Sequence, residues 1–211
     1  MANLRMTRRQ WRIYLTVWLV ALAAVTGALV GVVAPRLIAR PAPPAGLSGG
    51  LILNPSVPAP TFTLRDQTGA MLSPATLRGR VVALTFLDTQ CLNLCPLQAS
   101  LLGTVQSDLG SNAHFSVVVV SVRPEADTPA NIATFANAHG LKGGYYWLTG
   151  STEQLATVWD SYGVGVQVAN GDLAHSSIIY LIDRGGAERV AFADVPDLAS
   201  VVNDVRFLEA G

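Results

Sequence analysis

Two stretches, RVVALTFL ending at Leu87 and FSVVVVSV from Phe115, are apolar almost without interruption and rich in β-branched residues. A strand with one wet face alternates apolar and polar side chains, so a short run that does not alternate reads as a strand covered on both faces. Helical signals surround these runs. Leucines and valine recur at helical intervals from Pro96 to Leu109 (Leu97, Leu101, Val105, Leu109), Thr128 with Pro129 opens a second helix, and Ser151 with Gln154 forms the capping box of a third. FTLRDQTGAML reads as a hairpin turning near Asp66 to Gly69, followed by a short turn capped by Ser73 with Pro74 at its first position. SIIYLID and RVAFA, joined across Arg184-Gly185-Gly186, read as another hairpin, and Pro196 to Leu208 as a closing helix. The order βα, βα, ββα predicts an α/β domain, a mixed sheet flanked by helices, over residues 60–211.

The N-terminal part is different in kind. Ile13 to Val33 carries neither charge nor proline, and as a helix would span roughly 32 Å, the thickness of a bilayer core. Residues 13–34 are therefore expected to be a transmembrane anchor. Four arginines precede this run and two follow it. By the positive-inside bias, residues 1–12 are a cytoplasmic basic terminus and the domain is extracytoplasmic on a single-pass cell-membrane protein. A cleaved signal peptide is the competing reading, disfavoured because the run exceeds the usual h-region. Residues 35–59 are rich in proline and glycine and read as a tether, with a reach on the order of 28 Å. The formal charge is zero overall, but residues 41–211 carry a net −6. A nucleic-acid partner needs a basic face on the folded part, so none is expected.

The chain has two cysteines, Cys91 and Cys95, on the side of the membrane where disulfides persist. They sit where a buried strand gives way to a helix, a position whose backbone NH groups favour thiolate. If helical, i and i+4 spacing holds the Cα atoms about 6 Å apart, within reach of a disulfide. The pair can close, or it can hold a soft metal such as Cu(I) or Zn(II), with an imidazole as a third ligand. A purely structural staple gains little, because the loop it closes is so short.

Phe86-Leu87-Asp88-Thr89-Gln90-Cys91-Leu92-Asn93-Leu94-Cys95-Pro96 resembles the FxxTxCxxxCP signature of Sco/SenC proteins. SVRPEADTP at 121–129, LTGS at 148–151, Tyr162-Gly163-Val164 and HSSIIYLID at 175–183 follow in the family's order. The resemblance implies a thioredoxin-like fold, copper as the bound ion, and Cys91, Cys95 and His175 as its ligands. It further implies work as a copper chaperone for the CuA site of cytochrome c oxidase subunit II, or for another extracytoplasmic copper protein. Read alone, His175 opens an apolar strand and is an ordinary sheet-edge histidine; the thiols and the motif order make it the candidate. His139, before Gly140 at a helix end, and His114, in a polar turn, are weaker candidates.

A generic thioredoxin-like reductase would show CxxC and a cis-proline facing it. Here three residues separate the cysteines, and no proline lies between Pro129 and Pro196. The alternative functions are a thiol-disulfide oxidoreductase that reduces the client's cysteines, with Cys91 attacking and Cys95 resolving, and a scaffold domain without chemistry. Departures from the family pattern fall around the site. Leu92 replaces the common proline, Asn93 a frequent acid, Arg123 the usual aspartate, and Ala174 the acid before the histidine. Asp88 is either a compensating carboxylate or simply the cap of the loop after the strand.

Overall fold

The computed structural model describes residues 46–111, 113–169 and 172–211, with the isolated helical positions 11, 15, 18, 19, 21 and 22. The predicted anchor at 13–34 lies almost wholly outside the described residues, and among those no helix is long and apolar enough to cross a membrane. Residues 44–211 form one compact unit. Its six-stranded sheet is built from β1 (Leu51–Pro58), β4 (Val81–Leu87), β5 (Phe115–Ser121), β6 (Tyr145–Leu148), β9 (Ile178–Ile182) and β10 (Ala187–Ala193), in the order β1-β10-β9-β4-β5-β6. β4, β5 and β6 run parallel, whereas β9 pairs antiparallel with both β4 and β10. The sheet is mixed, as expected.

β4 and β5 are buried at every residue, which is why neither alternates. Val81, Ala83 and Leu87 face a core shared with α1 (Leu94–Leu109), α2 (Pro129–Ala138) and α4 (Leu198–Ala210). Val82, Leu84 and Phe86 face a second core, packed by α3 (Thr152–Ser161) and by the hairpin of β2 (Leu64–Arg65) and β3 (Met71–Leu72). Two of the three predicted caps form: Thr128 accepts from Asn131 N, and Ser151 and Gln154 close the capping box. Ser73 does not cap with its side chain. The 3-10 turn Pro74–Leu77 is closed instead by the Ser73 carbonyl, which accepts from Thr76 N and Oγ1.

Three further differences have physical causes. Residues 51–58, read as tether, are edge strand β1, paired with β10 from Leu51↔Ala191 to Pro58↔Ala187 with a register shift between Ile52 and Val57. An edge strand has one unpaired side, so Pro55 and Pro58 are tolerated there. Ahead of β1, the buried Asp204 carboxylate accepts from Ser48 N (2.8 Å) and Gly49 N (3.0 Å), and a Cβ on Gly50 would meet the Ala191 carbonyl at 2.6 Å. The inward stripe of α1 takes in part of the apolar series read from the sequence: Val105 is buried, and Leu101 and Leu109 pack partly buried against the core. Its other buried residues are Cys95, Gln98, Ala99, Leu102 and Gly103, while Leu97 is 55% exposed. Finally, β6, between α2 and α3, and the small hairpin of β7 (Val166–Ala169) and β8 (Asp172–His175) have no counterpart in the sequence reading.

Candidate metal centre

Where β4 ends, the chain turns into the cysteine loop under several constraints. Asp88 is buried. Its Oδ1 accepts from Gln90 N at 2.7 Å, which is the loop cap, and its Oδ2 pairs with Arg123 Nε at 3.1 Å. The arginine that replaces the family's aspartate thus has a carboxylate partner within the same site. The Asp88 backbone reaches both cysteines: its carbonyl accepts from Cys91 N at 3.3 Å, and its NH side favours the Cys95 thiolate. Next along the loop, Thr89 N donates to Asp127 Oδ1 at 2.9 Å. The Asp127 carboxylate also takes bonds from Ser121 Oγ (2.6 Å) and Trp147 Nε1 (3.1 Å). The cysteine loop is fastened in this way to the SVRPEADTP segment. That segment was matched by motif; the role of Asp127 inside it was not foreseen.

Both cysteines are free thiols, Cys91 partly exposed and Cys95 buried. The structure brings two of the three candidates into direct contact: Cys95 Sγ lies 3.7 Å from His175 Nε2. His175 is the last residue of β8, and its Nδ1 lies 3.0 Å from the Ser176 carbonyl. A carbonyl only accepts, so Nδ1 carries the proton and the lone pair of Nε2 faces the sulfur. Cys91, partly exposed on the same loop, lies near enough to raise the Cys95 thiol beyond what burial alone does.

Burial raises the Cys95 thiol well above its ordinary value, and neighbouring Cys91 adds to this. The opposing Asp88 NH does not offset them. At Cys95, in the absence of a cation, desolvation opposes the thiolate that the helix start favours. A buried neutral thiol of this kind ionises when a cation takes the place of its proton.

The donor set fits a soft ion. At about 2.3 Å from sulfur, about 2.0 Å from nitrogen and an angle near 120°, a trigonal d10 ion needs its S and N donors about 3.7 Å apart, the separation found between Cys95 and His175. Among the described residues no three His, Cys, Asp or Glu side chains already stand in a metal-holding arrangement. Cys95 is the common neighbour through which the trio is joined. His139 caps α2 beside Ser100 and Phe135, and His114 is exposed ahead of β5; neither belongs to this group. Around the loop, Leu92 (91% exposed), Leu94 and Leu97 present apolar surface.

Comparison with known proteins gives a consistent family and diverse relatives. Bradyrhizobium japonicum ScoI, solved with copper bound, shares 26% identity and a TM-score of 0.63, covering 72% of this chain and 99% of that one. BsSco, described as having a disulfide switch and as a member of the Sco family of cytochrome c oxidase assembly proteins, shares the fold. Its TM-score is 0.65 at 24% identity, covering 77% of this chain and 98% of that one. A putative peroxiredoxin of Mycobacterium tuberculosis is 33% identical over 111 residues, 53% of this chain and 66% of that relative, just under two thirds of its length. The match that spans the whole domain is to the family described as SCO1/SenC, over residues 54–208, which takes in both cysteines, the Asp127 segment and the histidine strand; this chain belongs to the SCO1/SenC family.

Proposed function

We propose that this protein is a membrane-anchored, extracytoplasmic copper chaperone that holds copper through Cys91, Cys95 and His175 and hands it to the CuA site of cytochrome c oxidase subunit II. The observation that carries the reading is the 3.7 Å approach of Cys95 Sγ to His175 Nε2, with Nδ1 already committed to a carbonyl. Two thiolates and a neutral imidazole are donors that copper accepts in either of its common oxidation states. The copper-bound ScoI relative supports the ion, and the description of BsSco supports the client pathway. As cargo, the ion leaves by stepwise exchange, each of its donors replaced by one from the acceptor. Partly exposed Cys91 is the ligand an acceptor reaches first. Residues 13–34 anchor the chain with its N-terminus in the cytoplasm, which keeps the domain beside a membrane-bound client.

Titrating the reduced full chain with Cu(I) and Cu(II) tests this directly. One equivalent should bind. Because loss of a mere supporting partner weakens a metal site by about 10–100-fold, His175→Ala should weaken it by more than about 100-fold. Absence of binding refutes the proposal.

The exposure difference between the cysteines favours one second reading, a thiol-disulfide oxidoreductase. Cys91 thiolate attacks a client disulfide and expels one client thiolate. Cys95 then displaces the second, leaving a Cys91–Cys95 disulfide and a client dithiol, with two electrons transferred. Under that reading Cys91→Ser abolishes client reduction and His175→Ala is tolerated.

A further inference from the structure

We infer that Gln98 is a positioning residue that holds the histidine arm against the cysteine helix. The inference rests on the copper reading of the site and names what sets its geometry. Cys95 lies in the first turn of α1, whereas His175 ends β8, whose strand partner is β7 rather than any strand of the main sheet. Something at the base of that arm must fix its distance from α1. Gln98 lies one turn beyond Cys95, on the same buried stripe, and is 1% exposed. Its Nε2 donates to Ser177 Oγ at 2.9 Å and to the Asp194 carbonyl, and its Oε1 accepts from Thr85 Oγ1 at 3.2 Å. Ser177 is two residues after His175, and its carbonyl accepts from Asp194 N at 3.0 Å. Thr85 Oγ1, in β4, has a single proton, which it shares between Gln98 Oε1 and the nearer Ile178 carbonyl at 2.8 Å. One amide therefore ties the cysteine helix, the central strand, the β10 end and the segment that follows the histidine. Gln98 and Thr85 are buried and Ser177 partly so, while Asp194 is exposed; at the buried end an unmade bond is expensive and a satisfied network rigid. The spacing between α1 and His175 is set by these Gln98 bonds rather than by the contact between Cys95 and His175 itself.

The test uses Ser177→Ala, which removes one end of the clamp without touching α1, and Gln98→Met, which keeps the shape without the amide. Both are confirmed as folded by circular dichroism, in the full chain. In the reduced, metal-free protein, a nuclear Overhauser contact between the His175 ring and the Cys95 β-protons should be present in the wild type and lost or strongly reduced in Ser177→Ala. After Cu(II) loading, the nitrogen hyperfine signature of imidazole ligation should fade in both variants, and Ser177→Ala added to His175→Ala should cause no further loss of affinity. Retained ring contact and retained nitrogen signature in a folded variant overturn the clamp. If the wild type binds no copper, the chaperone proposal fails, and the metal-free contact still decides the role of Gln98.

Discussion

Replacing Arg123 by methionine removes the cation from Asp88 and leaves most of the side-chain volume in place. Asp88 is 2% exposed and Arg123 24% exposed, with Nε and Oδ2 at 3.1 Å. An exposed pair is worth about 0–1 kcal/mol, and breaking a fully buried one costs about 3–5 kcal/mol because a charge is stranded. Here the stranded group is the buried member. It keeps the NH of Gln90, and the arginine it loses was partly wet, so the cost falls between those limits, at about 2 kcal/mol. For a chain of this size that is a fall of about 4–8 °C in Tm. Removing both charges, as in Asp88→Asn with Arg123→Met, should recover most of the loss, since the penalty comes from the unpaired carboxylate. Urea unfolding of the wild type, the two single variants and the double variant measures the cycle. Arg123→Met within about 0.5 kcal/mol of wild type, or a double variant as weak as the sum of the singles, refutes the assignment of Arg123 as the partner that makes burial of Asp88 tolerable.

Two other perturbations probe the frame around the site. Burial holds the Asp127 carboxyl above its ordinary value despite the bonds from Ser121, Thr89 and Trp147. Its stabilising contribution is therefore complete below about pH 4, the unfolded value, and is lost as pH rises through the raised folded value. Asp127→Asn does not titrate, so its stability relative to wild type should improve across that interval in unfolding curves; a pH-independent difference counts against it. Gly103 lies where α1 crosses the end of α2, and a Cβ there would meet the Gly140 carbonyl and the His139 oxygen at 2.7 Å. Gly103→Ala should cost about 1–3 kcal/mol by overpacking, more than the roughly 1 kcal/mol that alanine gains in a helix. Unchanged or higher stability would show that α2 shifts freely.

Much of this was legible where residue chemistry and local geometry coincide. The unbroken runs of β4 and β5 announced a doubly covered sheet, and Thr128, Ser151 and the Asp66–Gly69 turn marked their elements through caps and turns with specific donors and acceptors. What stayed hidden depends on distant partners. β6 is four residues long, and its identity rests on pairing with β5. β1 carries two prolines, and only the available edge of β10 makes it a strand. On α1 the apolar series alone does not show that Leu97 turns outward, because the sheet selects the stripe bearing the small and polar residues Ala99, Gly103 and Gln98. At the site, spacing marked the two thiols, while the contact with His175 depends on the β7–β8 arm and on a glutamine that no motif singled out.

The 80-residue separation between Cys95 and His175 also has a consequence in time. A ribosome adds about 5–20 residues per second, so the cysteines exist for about 4–16 s before the histidine is made. β9, the antiparallel neighbour that closes one side of β4, is made later still. During that interval the nascent chain offers a bare dithiol with no imidazole beside it. Whatever oxidant or ion it meets then acts on a different chemical object from the finished domain.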